Sequence, residues 1–366
     1  MKIEVNIKKL IYAVNKADRV VNKNSSLPVL SCLVLETGDN KIFIKATNLE
    51  IGLKKVIPAN VLSKGKVAIP SNILVSYLNN LNSDGNLLLE VKENVLFISG
   101  KKTETKINTL SVEDFPDIPD TSSTKGCKVS VKELVEGLKA VWYAASTSNM
   151  KPELSSVYIY SENNNLVFVA TDSFRLAEKK INTKINSFEN VLIPQKNVLE
   201  IIRVFEDIDG NVNLNFEEDK ISFKIKDDIY IITRIIDGNF PDYKQIIPKE
   251  SKTEITVLKN DLQNTLKISN IFTNNFNQVN FKIDSKNNTF EILSKNSETG
   301  ESRNNIDSKI EGESIEINFN QKYILDSFSS ITTDSVLLKF NGNGKPMVIK
   351  GINDNSFQYL VMPLNK

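Results

Sequence analysis

The stretch Val-Phe-Val-Ala-Thr-Asp-Ser-Phe-Arg-Leu-Ala at residues 167–177 runs from an apolar strand through a polar corner into a second strand. Thr, Asp and Ser favour such corners because their side chains hydrogen-bond the nearby backbone where ladder partners are lost. A near copy, Ile-Phe-Ile-Lys-Ala-Thr-Asn-Leu-Glu-Ile-Gly-Leu, stands at residues 42–53. Aligning Ala46 with Ala170 gives an offset of 124 residues. The same corner is therefore expected twice, one domain length apart.

Two helical stripes obey the same offset, and each second helix follows a proline, Pro70 or Pro194. A chance match would not keep one spacing across unrelated elements, so the offset indicates an internal repeat. The first stripe pairs Leu10, Val14, Ala17 and Val21 with Leu134, Leu138, Val141 and Ala145. The second pairs Leu74, Tyr77, Leu78 and Leu81 with Val198, Ile201, Ile202 and Phe205.

A third copy is fainter. With Gln195 aligned on Gln321, an offset of 126, part of the second stripe recurs as Ile324, Phe328 and Ile331. Leu262 and Leu266 open the first helix of this copy, but the stripe then degrades to Ser269 and Thr273. This helix is the least clearly marked of the six that the repeats predict.

A chain of 366 residues exceeds one ordinary core, whereas three repeats of this length match the usual domain size. We therefore expect an α+β fold with three tandem domains at residues 1–122, 126–250 and 251–366. Each domain should carry two helices packed on antiparallel sheet.

The composition is that of a soluble globular protein, with 40% hydrophobic and 25% charged residues. No apolar run approaches the roughly 20 residues of a membrane span. Residues 1–5, Met-Lys-Ile-Glu-Val, alternate like a strand and lack a signal-peptide core. We expect a cytoplasmic protein with no membrane partner.

Catalytic and metal-binding motifs are missing from the sequence. It contains no histidine, the commonest general base and a frequent metal ligand. Cys32 and Cys127 belong to no CxxC or CxxH pattern, and no phosphate-binding glycine motif is present. Asp117 and Asp120 lie in a proline-flanked stretch typical of a solvated turn. The sequence thus predicts no catalytic residue, no metal, no cofactor and no enzyme activity.

Basic residues recur on the first helix opposite its apolar stripe, without an acidic interruption: Lys9, Lys16, Arg19 and Lys23. Two interpretations stay open. Amphipathic surface helices often carry lysines, so this can be an ordinary solvated face. A row of long cations on a helix also suits phosphate contact without base recognition.

Six short motifs carry a family resemblance: 27–30 Leu-Pro-Val-Leu, 46–50 Ala-Thr-Asn-Leu-Glu, 114–116 Asp-Phe-Pro, 170–177 Ala-Thr-Asp-Ser-Phe-Arg-Leu-Ala, 237–243 Asp-Gly-Asn-Phe-Pro-Asp-Tyr and 361–364 Val-Met-Pro-Leu. With them the chain resembles the bacterial sliding clamps, the beta subunits of DNA polymerase III, over its full length. The resemblance implies a head-to-tail homodimer whose three-domain chains form a six-domain ring. Such a ring would be a non-catalytic processivity factor that encircles duplex DNA and slides without sequence specificity.

The resemblance also implies site residues and partners. Short linear motifs similar to Gln-Leu-x-Leu-Phe would bind one pocket. They would belong to the DNA polymerase III alpha subunit, the clamp-loader delta subunit, other DNA polymerases and repair proteins. The pocket would be formed by Leu154, Thr171, Ser173, Phe174, Arg175, Leu176, Pro241, Gln245, Ile246, Tyr323, Leu360, Met362, Pro363 and Leu364. Duplex DNA would contact helix faces bearing Lys9, Lys16, Arg19, Lys23, Lys139, Lys196 and Lys259. The dimer joint would include Asn108, Thr109, Leu110, Ile271 and Phe272. The alternative is a clamp-fold peptide-binding scaffold that does not enclose DNA.

Overall fold

The computed structural model describes residues 1–22, 27–82, 84–101, 103–121, 126–183, 190–226 and 228–364. By their contacts these residues fall into two compact units. One is drawn from Met1–Val135 and Lys196–Ile235, and the other from Glu136–Lys184, Asn190–Gln195 and Ile236–Lys366. The unit limits therefore differ from those of the three sequence repeats.

The described residues form six α-helices, two in each repeat. Helix α1 shows why they form: its apolar positions at helical spacing are buried, and the Asn6 side chain caps it by accepting from the Lys9 amide at 3.2 Å. The faintly marked fifth helix is present, with Leu262 and Leu266 buried. The helices are α1 Ile7–Asp18, α2 Ser71–Asn79, α3 Val131–Val141, α4 Gln195–Phe205, α5 Lys259–Ser269 and α6 Gln321–Ser327.

The first unit contains two antiparallel sheets. Its five-stranded sheet has the order β5-β1-β7-β8-β9, with β1 Lys2–Asn6, β5 Asn60–Ser63, β7 Asn86–Lys92, β8 Val95–Ser99 and β9 Glu104–Asn108. Its eight-stranded sheet has the order β10-β15-β16-β17-β4-β3-β2-β6, with β2 Cys32–Thr37, β3 Lys41–Thr47, β4 Ile51–Pro58, β6 Lys66–Pro70, β10 Gly126–Ser130, β15 Asn211–Phe216, β16 Lys220–Ile225 and β17 Ile229–Arg234.

The second unit also contains two antiparallel sheets. The nine-stranded sheet has the order β14-β11-β12-β13-β26-β25-β24-β18-β22, with β11 Ser156–Glu162, β12 Asn165–Thr171, β13 Arg175–Asn182, β14 Val191–Pro194, β18 Thr253–Leu258, β22 Ser308–Gly312, β24 Ser335–Phe340, β25 Met347–Gly351 and β26 Phe357–Val361. The four-stranded sheet has the order β21-β20-β19-β23, with β19 Gln278–Asp284, β20 Thr289–Asn296, β21 Gly300–Ile306 and β23 Ile315–Asn320.

Strand pairs across repeat boundaries explain why the units differ from the repeats. Strand β4 of the first repeat pairs with β17 of the second, and β13 of the second pairs with β26 of the third. Each large sheet is therefore built from two consecutive repeats, and its hydrogen bonds hold them together.

In each repeat, the side chain of the first residue of the second helix hydrogen-bonds to a residue near the end of the first helix. The Ser71 hydroxyl lies 2.6 Å from an Asp18 carboxylate oxygen at the end of α1. The Gln195 amide donates to the Trp142 carbonyl at 3.1 Å, and the Gln321 amide donates to the Leu266 carbonyl. The shared role of the two glutamines supports the alignment of the third repeat.

Candidate peptide-binding site and basic helix faces

The corner between β12 and β13 is held by its own side chains. The Thr171 hydroxyl donates to the Arg175 carbonyl at 2.6 Å and accepts from the Ser173 amide at 3.1 Å. The Asp172 carboxylate accepts from the amides of Phe174 and Arg175, at 2.9 and 3.0 Å. Ser173 takes the left-handed conformation, with φ 77°. This geometry leaves the Phe174 side chain 60% exposed.

The earlier corner has the same bonds. The Thr47 hydroxyl donates to the Ile51 carbonyl at 3.0 Å, and Asn48 accepts from the amides of Glu50 and Ile51 at 3.0 and 2.9 Å. Leu49 matches Ser173 with φ 77°. The repeat detected from the sequence thus extends to individual hydrogen bonds.

The Arg175 guanidinium contacts side chains of the same chain. Its Nε lies 2.9 Å from Asp172 and an Nη lies 2.6 Å from Asp326, while the guanidinium stacks 4.5 Å above the Tyr323 ring. Burial opposes the charge, but Tyr359 and the two carboxylates outweigh it and raise the Arg175 pKa.

In addition to the pocket membership that the resemblance implies, Thr171 and Arg175 have contacts within the chain. The Thr171 hydroxyl holds the corner, and the Arg175 guanidinium joins the corner to Asp326 of α6. Both side chains therefore position the corner.

The residues after β26 are held by backbone hydrogen bonds to the corner and to β23. The Met362 amide donates to the Phe174 carbonyl at 2.8 Å, which attaches the segment after β26 to the corner. The Leu364 amide donates to the Asn318 carbonyl at 2.8 Å, and Pro363 forms an isolated antiparallel β-bridge with Phe319 of β23. Met362, Pro363 and Leu364 are thereby held half-buried beside the exposed Phe174.

An apolar cluster packs on the pair of strands β13 and β26. Leu176 and Leu360 are directly paired and pack with the buried Tyr243. Phe240 and Ile247, which flank the predicted site residues of the Phe-Pro-Asp-Tyr segment, are partly buried against this cluster. The structure therefore brings that segment onto the two strands that carry the corner and the chain end.

A buried polar network lies within this cluster. The Tyr243 hydroxyl donates to Glu178 and lies 2.7 Å from the Tyr160 hydroxyl. Gln358 donates to the second oxygen of Glu178 at 2.7 Å. Burial first, and then the bond to Glu178, raise the pKa of Tyr243, so its hydroxyl stays protonated at neutral pH.

Exposure varies widely among the predicted pocket residues. The exposed ones are Ser173, Phe174, Pro241, Gln245 and Ile246, and the buried ones are Leu154, Thr171, Leu176 and Leu360. Gln245 donates to Asp242 at 2.6 Å, and the Leu154 backbone bonds to Ser146 and Lys151. These contacts do not join Gln245 or Leu154 to the corner. The chain end, in contrast, hydrogen-bonds the corner directly through the Met362 amide.

The sequence analysis did not identify Asp172, Asp326, Tyr243 and Glu178, which support the predicted site residues. Asp172 and Tyr243 stand inside the quoted motifs and could have been found there. Asp326 lies three residues after Tyr323 and so shares a face of α6 with it. Glu178 gives no local signal, because its role depends on Tyr243, a residue distant in sequence.

The predicted DNA-contacting residues other than Lys16 divide into three groups. Lys9, Arg19, Lys139 and Lys196 are exposed, as the sequence predicts for a cationic helix face. Lys259 is half-buried and donates to the Ile331 carbonyl at 2.7 Å. Lys23 lies outside the described residues.

Lys16 departs from the predicted basic face. Its side chain is buried, donates to the Arg203 carbonyl at 2.9 Å and forms an ion pair with Asp207. Helical spacing alone places Lys16 on the exposed face, but α4 and the turn after it cover this position. Lys16 therefore joins the two helices rather than presenting a charge to a ligand.

The residues predicted for the dimer joint lie near two sheet edges. Asn108 ends β9, an edge strand of the five-stranded sheet, and Thr109 and Leu110 follow it. Ile271 and Phe272 lie in a short 3₁₀ helix that contacts β21, an edge strand of the four-stranded sheet. Ile271 is 65% exposed.

The described ranges contain neither a metal-binding cluster nor a bilayer-length helix. No three Asp, Glu or Cys side chains in these ranges are grouped so that they could hold a metal ion. None of the described helices has the length and apolar character needed to cross a bilayer.

Known proteins similar to this chain cover its whole length. The DNA polymerase III beta subunit models match it as N-terminal domain over residues 1–119, central domain over 128–242 and C-terminal domain over 244–365. The Beta sliding clamp of Staphylococcus aureus is 24% identical over an alignment 375 residues long that covers 99% of each chain. The beta subunit of Thermotoga maritima is 26% identical with a TM-score of 0.94, over 100% of this chain and 99% of its own. The Bacillus subtilis sliding clamp shares the fold at 24% identity and a TM-score of 0.93, over 100% and 99% of the two chains.

The repeated fold and the fastened corner define a clamp-fold protein. The three matched domains go further, since together they span nearly the entire sequence. The chain belongs to the DNA polymerase III beta subunit family, the bacterial sliding clamps. It is thus a non-catalytic processivity subunit of DNA replication, which confirms the resemblance and the predicted lack of enzyme activity.

Proposed function

We propose that two copies of this chain join head to tail into a six-domain ring that encircles duplex DNA. The chain supplies three clamp domains, for which we propose the limits 1–122, 126–250 and 251–366. The supporting observation is the pair of edge strands: β9 belongs to the first repeat and β21 to the third. Because edge strands present unpaired backbone groups, β9 of one copy and β21 of the next can continue one sheet across the joint.

The helix faces of the ring would contact DNA through long, exposed cations. Lys9, Arg19, Lys139 and Lys196 are such side chains. Lysine and arginine contacts to phosphate position a protein on DNA without reading its sequence. This chemistry suits a ring that slides, since no contact depends on a particular base.

Partner proteins would bind through short linear motifs at the corner, the chain end and the Phe-Pro-Asp-Tyr segment. Exposed Phe174 and Ile246, with half-buried Met362 and Leu364, offer apolar surface for the leucine and phenylalanine of such a motif. We include among the partners the polymerase III alpha subunit, the clamp-loader delta subunit, other polymerases and repair proteins. The expected place of action is the cytoplasm, where the chromosome is replicated.

Retention on circular DNA tests the ring. Purified protein with a matching clamp loader should remain on closed circular DNA through gel filtration and be lost after the circle is linearised. Charge reversal at Lys9 and Arg19 should lower retention while the dimer persists. Equal retention on circular and linear DNA would instead support the clamp-fold peptide-binding scaffold that does not enclose DNA.

A further inference from the structure

A row of basic side chains crosses the eight-stranded sheet at right angles to its strands. Lys45 of β3 is directly paired with Lys54 of β4, Lys54 with Tyr230 of β17, and Tyr230 with Lys224 of β16. Neighbouring strands lie about 4.8 Å apart, so the row extends over about 14 Å. It also crosses the β4–β17 pair that joins the first and second repeats.

This row forms one wall of a cavity of about 510 Å³ on the sheet face. Among the described residues that line it, five are lysines and two are carboxylates, a net charge of +3: Lys41, Lys45, Lys54, Lys224, Lys226, Glu36 and Asp120. None of these described lining residues is an arginine. Lys41, Lys224 and Lys226 are exposed, so their charges face the solvent side of the cavity.

The basic row destabilises the sheet through charge repulsion, and the fold does not require lysines at these positions. Like charges on directly paired residues destabilise a sheet, and Lys45 and Lys54 are such a pair. Two carboxylates compensate them in part: Glu36 lies 2.5 Å from Lys45 and Asp120 lies 2.7 Å from Lys54. At the 124-residue offset the corresponding pair is Val169 and Glu178, in the same register.

We propose that this cavity, the outer basic cleft, binds the phosphodiester backbone of single-stranded nucleic acid. Lysine contacts phosphate as a point charge, without the bidentate geometry that the planar fork of arginine imposes, which suits a backbone bound in any register. The lysines are spread along a row, and the cavity far exceeds the roughly 30 Å³ of one water molecule, which suits a repeating polyanion rather than a single small ion. The inference goes beyond the proposed encirclement of duplex DNA.

The aromatic residues in the cleft indicate binding without base preference. The Lys41 ammonium lies 5.2 Å from the Phe43 ring centre, and the Lys54 ammonium lies 5.3 Å from that of Tyr230. Tyr230 is 9% exposed, and its hydroxyl donates to the Pro119 carbonyl at 2.9 Å. Because lysines already cover these rings, they hold cations in place and offer little surface for base stacking.

Fluorescence anisotropy with labelled oligodeoxythymidylate and oligouridylate tests the cleft. The triple variant Lys41→Gln, Lys224→Gln, Lys226→Gln should bind both oligonucleotides at least about tenfold more weakly at low salt. It should also lower the slope of log affinity against log salt by about 2, at roughly 0.7 per lost phosphate contact. A matched control, Lys64→Gln, Lys66→Gln, Lys92→Gln, removes the same charge from exposed positions outside the cleft and should bind like the wild type.

Three outcomes would overturn the inference. The cleft variant and the control could bind single strands equally. Duplex of the same length could lose affinity by the same factor, which would show a general charge effect. A labelled polyglutamate peptide could bind with the same lysine dependence while the oligonucleotides do not, which would make the occupant an acidic protein segment.

Discussion

Arg175 joins the corner between β12 and β13 to α6 through its ion pairs with Asp172 and Asp326. Arg175→Ala should lower the free energy of unfolding by about 3 kcal/mol, because it leaves Asp172 and Asp326 without their cation in a largely buried place. Urea denaturation measures this. The control is Arg203→Ala, whose ion pair with Glu200 involves an arginine side chain that is 42% exposed, and which should cost less than about 1 kcal/mol. Equal losses in the two variants would contradict a structural role specific to Arg175.

Tyr243 should make the protein sensitive to alkali. Its pKa is raised in the folded state, so the stability that its protonated form contributes is fully present below the unfolded pKa of about 10 and is lost as pH rises above that value. Tyr243→Phe should cost about 1–2 kcal/mol at neutral pH because Glu178 loses a donor. Above pH 10, the variant should lose stability more slowly, by up to about 1.4 kcal/mol per pH unit. Parallel stability curves for the two proteins above that pH would refute the assignment.

The sequence could predict individual residues only where local spacing decides their environment. Leu10 and Val14 are buried as the helical stripe predicts. Lys16 shares a predicted face with the exposed Lys9 yet is buried, because a segment almost 190 residues away in sequence covers it. No local pattern encodes such a contact.

At the level of elements, the repeat predicted most of the fold. The corners at 46–50 and 170–175, and the six helices, follow from turn chemistry and apolar spacing. The pairing of β4 with β17 and of β13 with β26 does not, since these four strands have alternating or apolar patterns that many neighbours would satisfy. The joined sheets and the outer basic cleft therefore became visible only in three dimensions.

The contact between α3 and β12 depends on a glycine. A Cβ added at Gly137 would lie 2.2 Å from a ring carbon of the fully buried Phe168. Gly137→Ala should therefore destabilise the protein by about 1–3 kcal/mol, although alanine favours helices. Thermal unfolding measures the change. Gly238→Ala is the control, because no atom outside its own chain neighbours comes closer than 3.8 Å to its added Cβ. Near-neutral behaviour of Gly137→Ala would show that the helix can shift away from the sheet.

The segment after β26 should contribute binding energy rather than stability. Met362→Ala with Leu364→Ala should weaken binding of a Gln-Leu-x-Leu-Phe peptide by at least about tenfold, since apolar contacts are worth about 0.8 kcal/mol per CH₂. Isothermal titration calorimetry measures the peptide affinity, and sedimentation checks that the proposed dimer persists. Leu258→Ala with Ile268→Ala removes apolar groups of similar size elsewhere, which are 54% and 50% exposed, and should leave affinity unchanged. Equal peptide affinity in the wild type and the chain-end variant would refute the proposed pocket.

At the scale of the whole molecule, the proposed ring depends on one kind of joint used twice. A head-to-tail contact buries two different surfaces, so a substitution on one surface affects both joints of a closed dimer. Ile271 is mostly exposed and Phe272 half-buried in the single chain, which is the expected state of interface residues before assembly. Weakening this surface should therefore have a doubled effect on ring closure.

Ile271→Ala with Phe272→Ala should shift the protein from dimer to monomer at low concentration. Burial of each side chain across a joint contributes roughly 1.5–3 kcal/mol, and the loss recurs at both joints. Analytical sedimentation over a dilution series measures the change, and circular dichroism checks that the chain remains folded. The control is Leu62→Ala with Ile73→Ala, two residues that are 55% and 48% exposed outside the proposed joint, and it should remain dimeric. If the Ile271 and Phe272 variant also sediments as a dimer at every concentration, these residues do not close the ring, and the joint must be sought along other parts of β9 and β21.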